Sequence, residues 1–345
     1  MAPVGLADSR GDGRSLGFRV VQTLIALAVG IAVLEVAAHV WETQRTVLSA
    51  DGAALPSHPG RLWHMSAGEL RTRGVAATIN HLGLRGPVPA MPRPPEQERI
   101  LVVGDSHLFG FGLADDETFQ VLLERRLSQA GIWVDVVNAA VPGYSTAQTK
   151  RLLDDVGWSL DPTLLIIGNL WSDVDRSPAP DEDLLHARRQ ARFNPLVYSA
   201  FIRWLVQGEE IRQFSGPTGM KGPHGPETKN MVHRVSPARY AALLNQMAQA
   251  ATDRGVDTLL LLPCTRALAA GKSDPSGSTH MAAMERVAVT RDLPLIDLRS
   301  WFAPGPAGLD RIFVDHSHPS RLGNVRIATA VQEALTERGW PAASW

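Results

Sequence analysis

Residues 100–106 read Ile100-Leu101-Val102-Val103-Gly104-Asp105-Ser106, four apolar residues running directly into a Gly-Asp-Ser turn. A short apolar run bounded by a turn signal suits a buried strand of a parallel sheet. A serine at the end of such a strand lies on the carboxyl edge of the sheet, where open α/β folds bind their ligands. Ser106 is therefore a candidate nucleophile. More than 200 residues later the chain reads Asp315-His316-Ser317-His318-Pro319, a carboxylate and an imidazole three positions apart. Serine, histidine and aspartate together make a hydrolytic triad.

An alcohol attacks a carbonyl poorly unless a base takes its proton on the way. His318 is the candidate base, and Asp315, from the same loop, would hold the imidazole in one tautomer and orientation. The charge that develops on the carbonyl oxygen needs donors already in place. The backbone of Ser106 supplies one. A second is expected from Val141-Pro142-Gly143-Tyr144-Ser145-Thr146, where Gly143 lets the main chain approach a substrate closely.

Outward from this stretch, strand and helix patterns alternate. Strands are expected at Ile100 to Val103, Trp133 to Val137, Thr163 to Ile167, Asp257 to Leu262 and Leu293 to Leu298. Helices are expected from near Asp115, with Phe119, Leu122, Leu123 and Leu127 on one face, at Thr146 to Val156, Pro237 to Thr252, Met281 to Thr290 and Gly323 to Glu337. Alternation of this kind specifies an α/β domain with a central parallel sheet and helices on both faces, over residues 98–345. An insertion over 176–235 interrupts the rhythm with the acidic cluster Asp181-Glu182-Asp183, a helix around Pro195 to Val206 and a Gly/Pro-rich stretch from Gly216 to Pro226. The acidic cluster reads as a solvated surface, and the insertion as a lid.

The N-terminus reads differently. Val20 to Leu34 is fifteen residues without a charge, and the apolar character continues to Trp41. At ~1.5 Å per residue this is long enough for a hydrocarbon core of ~30 Å. Arg10, Arg14 and Arg19 precede it, which keeps the N-terminus cytoplasmic. The sequence is read as a cytoplasmic tail over 1–18, a transmembrane signal anchor over 19–41 and a juxtamembrane connector over 42–97. The competing readings are a signal peptide cleaved near Ala37-Ala38 and a buried helix. Lys and Arg number 34 against 35 Asp and Glu, and no basic block marks a nucleic-acid surface. The single cysteine, Cys264, excludes an intrachain disulfide and reads as a buried hydrophobe.

These blocks resemble the SGNH, or GDSL, hydrolase superfamily in its membrane-anchored bacterial form. The nucleophile block is matched by Val102-Val103-Gly104-Asp105-Ser106 and the glycine block by Asn138-Ala139-Ala140-Val141-Pro142-Gly143. Asp315 to His318 match the closing block, and the upstream Asn80-His81-Leu82-Gly83-Leu84-Arg85-Gly86 is similar to a segment that precedes the domain in anchored members. The resemblance implies a flavodoxin-like three-layer sandwich with Ser106, Asp315 and His318 as the triad and Ser106 and Gly143 as backbone oxyanion donors. One block departs from the pattern, since Gly168-Asn169-Leu170-Trp171-Ser172-Asp173 puts Ser172 where an asparagine is expected before aspartate. Either Ser172 or Asn169 would then be the third donor, or the hole keeps two.

The expected function is a serine esterase that removes an acyl group, acetyl foremost, from a carbohydrate or another envelope component through an acyl-enzyme. Its partners would be that small-molecule or polysaccharide ester and the membrane, not nucleic acid, and no cofactor or metal is called for. The expected location is the bacterial inner membrane, with a single span and an extracytoplasmic domain. The alternatives are an O-acyltransferase using the same triad and an envelope binding protein with little or no activity. Leu108 breaks the Gly-x-Ser-x-Gly elbow of α/β-hydrolases, and Arg266 breaks a phosphate loop ending at Lys272-Ser273. A metal held by Asp315, His316 and His318 is a rival reading. His107 and His316, taken singly, read as structural.

Overall fold

Five parallel strands form the central sheet of a computed structural model that describes residues 16–44, 46–48, 54–58, 60–177, 179–191, 201, 231–303 and 308–342. In chain order they are Glu98–Gly104 (β1), Val134–Asn138 (β2), Leu164–Gly168 (β3), Asp257–Leu262 (β4) and Leu295–Asp297 (β5). Their spatial order is β5-β4-β3-β1-β2, the doubly wound order in which the chain reverses direction of growth between β1 and β3. Helices Phe119–Gln129 and Arg321–Glu337 pack together as one layer, and Thr146–Asp155, Pro237–Thr252 and Ser278–Arg291 as the other. Ile100, Leu101, Val102 and Val103 are wholly enclosed, as are Leu164 to Ile167 beside them. The run that opens the sequence reading is thus the middle of the core.

The end of β1 is shaped by one side chain. Gly104 pairs in register with Gly168 at the ends of β1 and β3. A Cβ on Gly104 would stand 2.9 Å from Leu108 Cδ1, and one on Gly168 only 2.3 Å from the same atom. Leu108, fully buried on the helix Ser106–Phe109, lies across both strand ends. Close packing of this kind leaves no space for two further methyl groups.

The element limits shift by a few residues from expectation. Asp115–Glu117 forms its own short 3-10 turn, because Thr118 is extended (φ −72°, ψ 148°) and the helix starts after it at Phe119. The last helix starts at Arg321, where the Ser320 hydroxyl accepts the Gly323 N–H at 3.2 Å. In the insertion, Arg176–Ser177 pairs antiparallel with Val232–His233, and Asp181–Ala191 is a helix. Apart from residue 201, the helix expected at 195–206 and the Gly/Pro-rich stretch lie outside the described residues.

Two upstream findings bear on the site. Residues 42–97, read as a connector, include a hairpin of Gly68–Thr72 with Val75–Ile79, and their second half docks on the domain. Trp63 and Leu84 are buried in the common core, and Arg85 pairs with Asn138 at the end of β2. The Arg85 guanidinium donates to the carbonyls of Phe109, Gly110 and Leu113 at 2.9, 2.8 and 2.7 Å and to Asp115 Oδ1 at 2.9 Å. Apolar pattern alone does not show this docking, because the partners of the Arg85 guanidinium lie 24 to 30 residues away. The helix Leu16–Gln44, by contrast, contains the span Gly17–Val40 with mean hydropathy 2.2 and none of that window buried, the one helix among the described residues long and apolar enough to cross a membrane.

Arg85→Ala removes a buried cation from three carbonyls and a carboxylate, and is expected to cost about 3 kcal/mol of stability. Urea denaturation with an unchanged m-value reads this directly. A loss below about 1 kcal/mol would mean that residues 61–86 are loosely attached.

Candidate functional site

Ser106 opens the four-residue helix Ser106–Phe109 directly after β1, with Asp105 as its N-cap. Asp105 is fully buried. Its Oδ1 accepts the His107 backbone N–H at 3.0 Å and faces the His107 ring Nδ1 at 3.1 Å, and its Oδ2 accepts the Ser172 N–H at 3.3 Å. Burial alone would raise this carboxyl, but the neighbouring His107 ring and the donated N–H groups bring it below its ordinary value. Asp105 is therefore the brace that joins the turn after β1 to the turn after β3. The Ser106 N–H, at the first helical position, has no intrahelical acceptor.

Asp315 and His318 stand in a tight turn across from it. Asp315 Oδ1 accepts the backbone N–H groups of Ser317 and His318 at 2.9 and 2.8 Å. Oδ2 lies 2.8 Å from His318 Nδ1, and His318 Nε2 lies 2.8 Å from Ser106 Oγ. A carboxylate only accepts, so Nδ1 carries the proton and Nε2 is left to accept from the serine hydroxyl. Phe111 stacks on the His318 ring at 4.6 Å and Arg73 Nη1 lies 3.5 Å from Asp315 Oδ2. Burial raises the Asp315 carboxyl, yet the His318 ring and the two backbone donors outweigh it and hold the group well below the usual carboxylate range. His316 is exposed, and among the described residues no three His, Cys, Asp or Glu side chains gather as a metal site.

The loop after β2 forms the remaining wall. Gly143 has φ +77°, a conformation that favours glycine. Trp63 Nε1 donates to the Pro142 carbonyl at 3.2 Å, Arg234 Nη1 to the Gly143 carbonyl at 2.8 Å and Asn169 Nδ2 to the Tyr144 carbonyl at 3.1 Å. The Gly143 N–H has no acceptor among the described residues.

The pattern of the GDSL-like Lipase/Acylhydrolase family matches residues 102–326, more than half of the chain and all three of these regions. The chain belongs to this family. It is an ester hydrolase with the GDSL fold. Solved structures similar to it include an acetyl xylan esterase, AlAXEase (15% identity, 69% of this chain and 99% of that one covered, TM-score 0.46). They also include TesA (19% identity, 70% and 99%, TM-score 0.44) and a lipase/acylhydrolase from Enterococcus faecalis (16% identity, 70% and 96%, TM-score 0.46). No curated relative matches the chain.

The third block of the GDSL fold is tied to the glycine loop. Asp173 is fully buried and accepts the Thr146 N–H at 2.8 Å and the Thr146 hydroxyl at 2.9 Å. Burial pushes its carboxyl well above the ordinary value, against the pull of those two donors. Asn169 is enclosed one residue past Gly168, with one side-chain N–H spent on the Tyr144 carbonyl and its backbone carbonyl accepting the Tyr240 hydroxyl at 2.6 Å. The Ser172 hydroxyl has no partner among the described residues, while its backbone N–H is held by Asp105.

The sequence reading missed Trp63, Arg73, Asp181 and Arg234. Asp181, expected on a solvated surface, is buried and takes both Arg234 Nε at 3.1 Å and Nη2 at 2.7 Å. An acidic triplet in the first turn of a helix looks solvated because the basic partner of Asp181 lies 53 residues away. Tyr144, next to Gly143, is buried core.

The depressed carboxyls set an acid limit on stability. In the unfolded chain such groups take up protons near pH ~3.9. In the folded chain Asp315 and Asp105 take them up only at lower pH, so their stabilisation is present above the unfolded value and is lost as pH falls through the window below it. The melting temperature is expected to drop increasingly as pH falls below about 4, and Asp315→Asn should flatten that drop. Calorimetric pH profiles that run parallel for the two proteins would refute a contribution from Asp315.

Proposed function

We propose that the protein is a serine esterase in which Ser106 attacks the ester carbonyl, His318 takes the hydroxyl proton and Asp315 steadies the resulting imidazolium. The observation that carries this reading is the unbroken chain Ser106 Oγ, His318 Nε2, His318 Nδ1, Asp315 Oδ2, with both links at 2.8 Å. Attack forms the bond from Oγ to the acyl carbon and expels the alcohol, which leaves with the proton held by His318. Water then attacks the acyl-enzyme with His318 again as base, releasing the acid and restoring Ser106. The N–H groups of Ser106 and Gly143 receive the oxyanion. We assign the third donor to Asn169, whose amide is anchored to the Tyr144 carbonyl and keeps a second N–H beside the Gly143 loop.

The substrate class follows from the setting. The apolar helix Leu16–Gln44 would hold the enzyme as an uncleaved inner-membrane anchor, with Arg10, Arg14 and Arg19 on the cytoplasmic side and the hydrolase domain outside the cytoplasm. An esterase in that position meets acyl groups, acetyl foremost, on carbohydrates and other envelope components. Acetate release from an acetylated polysaccharide tests the class, and transfer of the acyl group to an added sugar would make it an O-acyltransferase.

Ser106→Ala is expected to reduce turnover of p-nitrophenyl acetate at least about a thousandfold with the fold intact, and His318→Ala nearly as much, since triad members act as a unit. A fluorophosphonate probe should label wild-type protein and not the Ser106 variant. Folded protein that is never labelled would point instead to a binding role.

Asn169→Ala should lower kcat by roughly a hundredfold with KM little changed, whereas Ser172→Ala should stay within about threefold of wild type. The reverse order would make the Ser172 hydroxyl the donor.

A further inference from the structure

We propose that Trp63, from the segment between the apolar helix and the sheet, is a positioning residue that aims the Gly143 N–H at the reacting carbonyl. The inference rests on the roles of Ser106 and Gly143 given above and extends them to a part of the chain that lies before residues 102–326, the stretch matched by the family pattern.

The physical basis is the planarity of the peptide bond. In a trans peptide the C=O and the following N–H point in opposite directions from one rigid plane. The carbonyl of Pro142 and the N–H of Gly143 share such a plane. Whatever holds Pro142 O therefore sets the direction of the Gly143 N–H, and what holds it is Trp63 Nε1 at 3.2 Å. Gly143, free of a Cβ and at φ +77°, has little conformational preference of its own to fix that plane.

Trp63 is in turn held on several sides. The Tyr144 hydroxyl donates to its carbonyl at 2.6 Å, and the two rings meet edge to face at 5.8 Å. The Arg234 guanidinium lies 5.3 Å from its ring centre while donating to the Gly143 carbonyl at 2.8 Å. Arg234 is itself fixed by both carboxylate oxygens of Asp181 and by Gln148 Oε1 at 2.6 Å. A Cβ on Gly143 would come within 3.3 Å of Trp63 Cζ2, so the indole also bounds the loop sterically. The same upstream segment places Arg73 3.5 Å from Asp315 and Arg85 on the carbonyls that follow the Ser106 helix. One stretch of 25 or so residues thus touches the loop of each proposed catalytic part.

If Trp63 served only to fill space, any ring of similar size would do. The proposal requires its N–H. Trp63→Phe keeps an aromatic ring against Tyr144 and loses the donor, and replacement by benzothienylalanine keeps the whole shape with sulfur in place of N–H. In both, with melting temperatures near wild type, kcat for p-nitrophenyl acetate is expected to fall about tenfold while KM changes less than about twofold, because the lost orientation matters mainly in the transition state. Labelling by a fluorophosphonate should slow in parallel, since its phosphoryl oxygen uses the same donors. The benzothienylalanine protein decides the matter if the phenylalanine variant does not fold. Unchanged kcat in either folded variant overturns the proposal, as does a change confined to KM, which would make Trp63 a substrate contact. Wild-type turnover that survives Ser106→Ala would instead overturn the underlying reading, and this inference with it.

Discussion

Leu108 lies across the ends of the two central strands, and nothing larger than glycine fits beneath it at 104 or 168. That steric constraint places everything else. With both strand ends bare, the turn after β1 can drop onto the sheet and present Ser106 at the crevice where the strand order reverses, and the turn after β3 can approach closely enough for Ser172 N–H to reach Asp105. The Gly-Asp-Ser stretch is thus as much a packing solution as a chemical one: the glycine admits Leu108, the aspartate ties two turns together, and the serine is left as the proposed nucleophile.

The charges inside this protein follow the rule that a buried ion must be fully partnered. Arg99 is enclosed and gives its donors to Asp135, Leu160 and Ala90. Arg85 and Arg234 each join a carboxylate to backbone carbonyls of a loop that borders the site. Such groups add little net stability compared with apolar packing, but each accepts few alternative arrangements, which suits the proposed role of these loops in presenting backbone donors.

The proposed serine mechanism draws on these loops and on the bond chain through His318. The upstream residues 61–86 nonetheless belong to the same core. They bring a ring, two cations and a hairpin against the three loops, so the distance from the apolar helix to the site is spanned by folded protein over those residues and not by a loose tether.

Much of this was legible in the letters, because it depends on local pattern. Continuous apolar runs of five or so residues separated by helical periodicity specify a parallel sheet whatever the details, and Asp315 and His318 sit three apart in one turn, close enough to meet. Ser106 at a strand end, Gly143 in a turn and the uncharged run from Val20 to Leu34 are likewise local features. What only the tertiary structure decided is which distant groups neutralise one another. Asp181 reads as solvated until Arg234 is found beside it, the partners of Arg85 lie 24 to 30 residues along the chain, and Trp63 carries no signal at all 79 residues from the carbonyl it holds. Hydrophobic periodicity reports burial along one element, but the direction of a hydrogen bond depends on where two remote segments meet, and that is set by the packing of the whole chain.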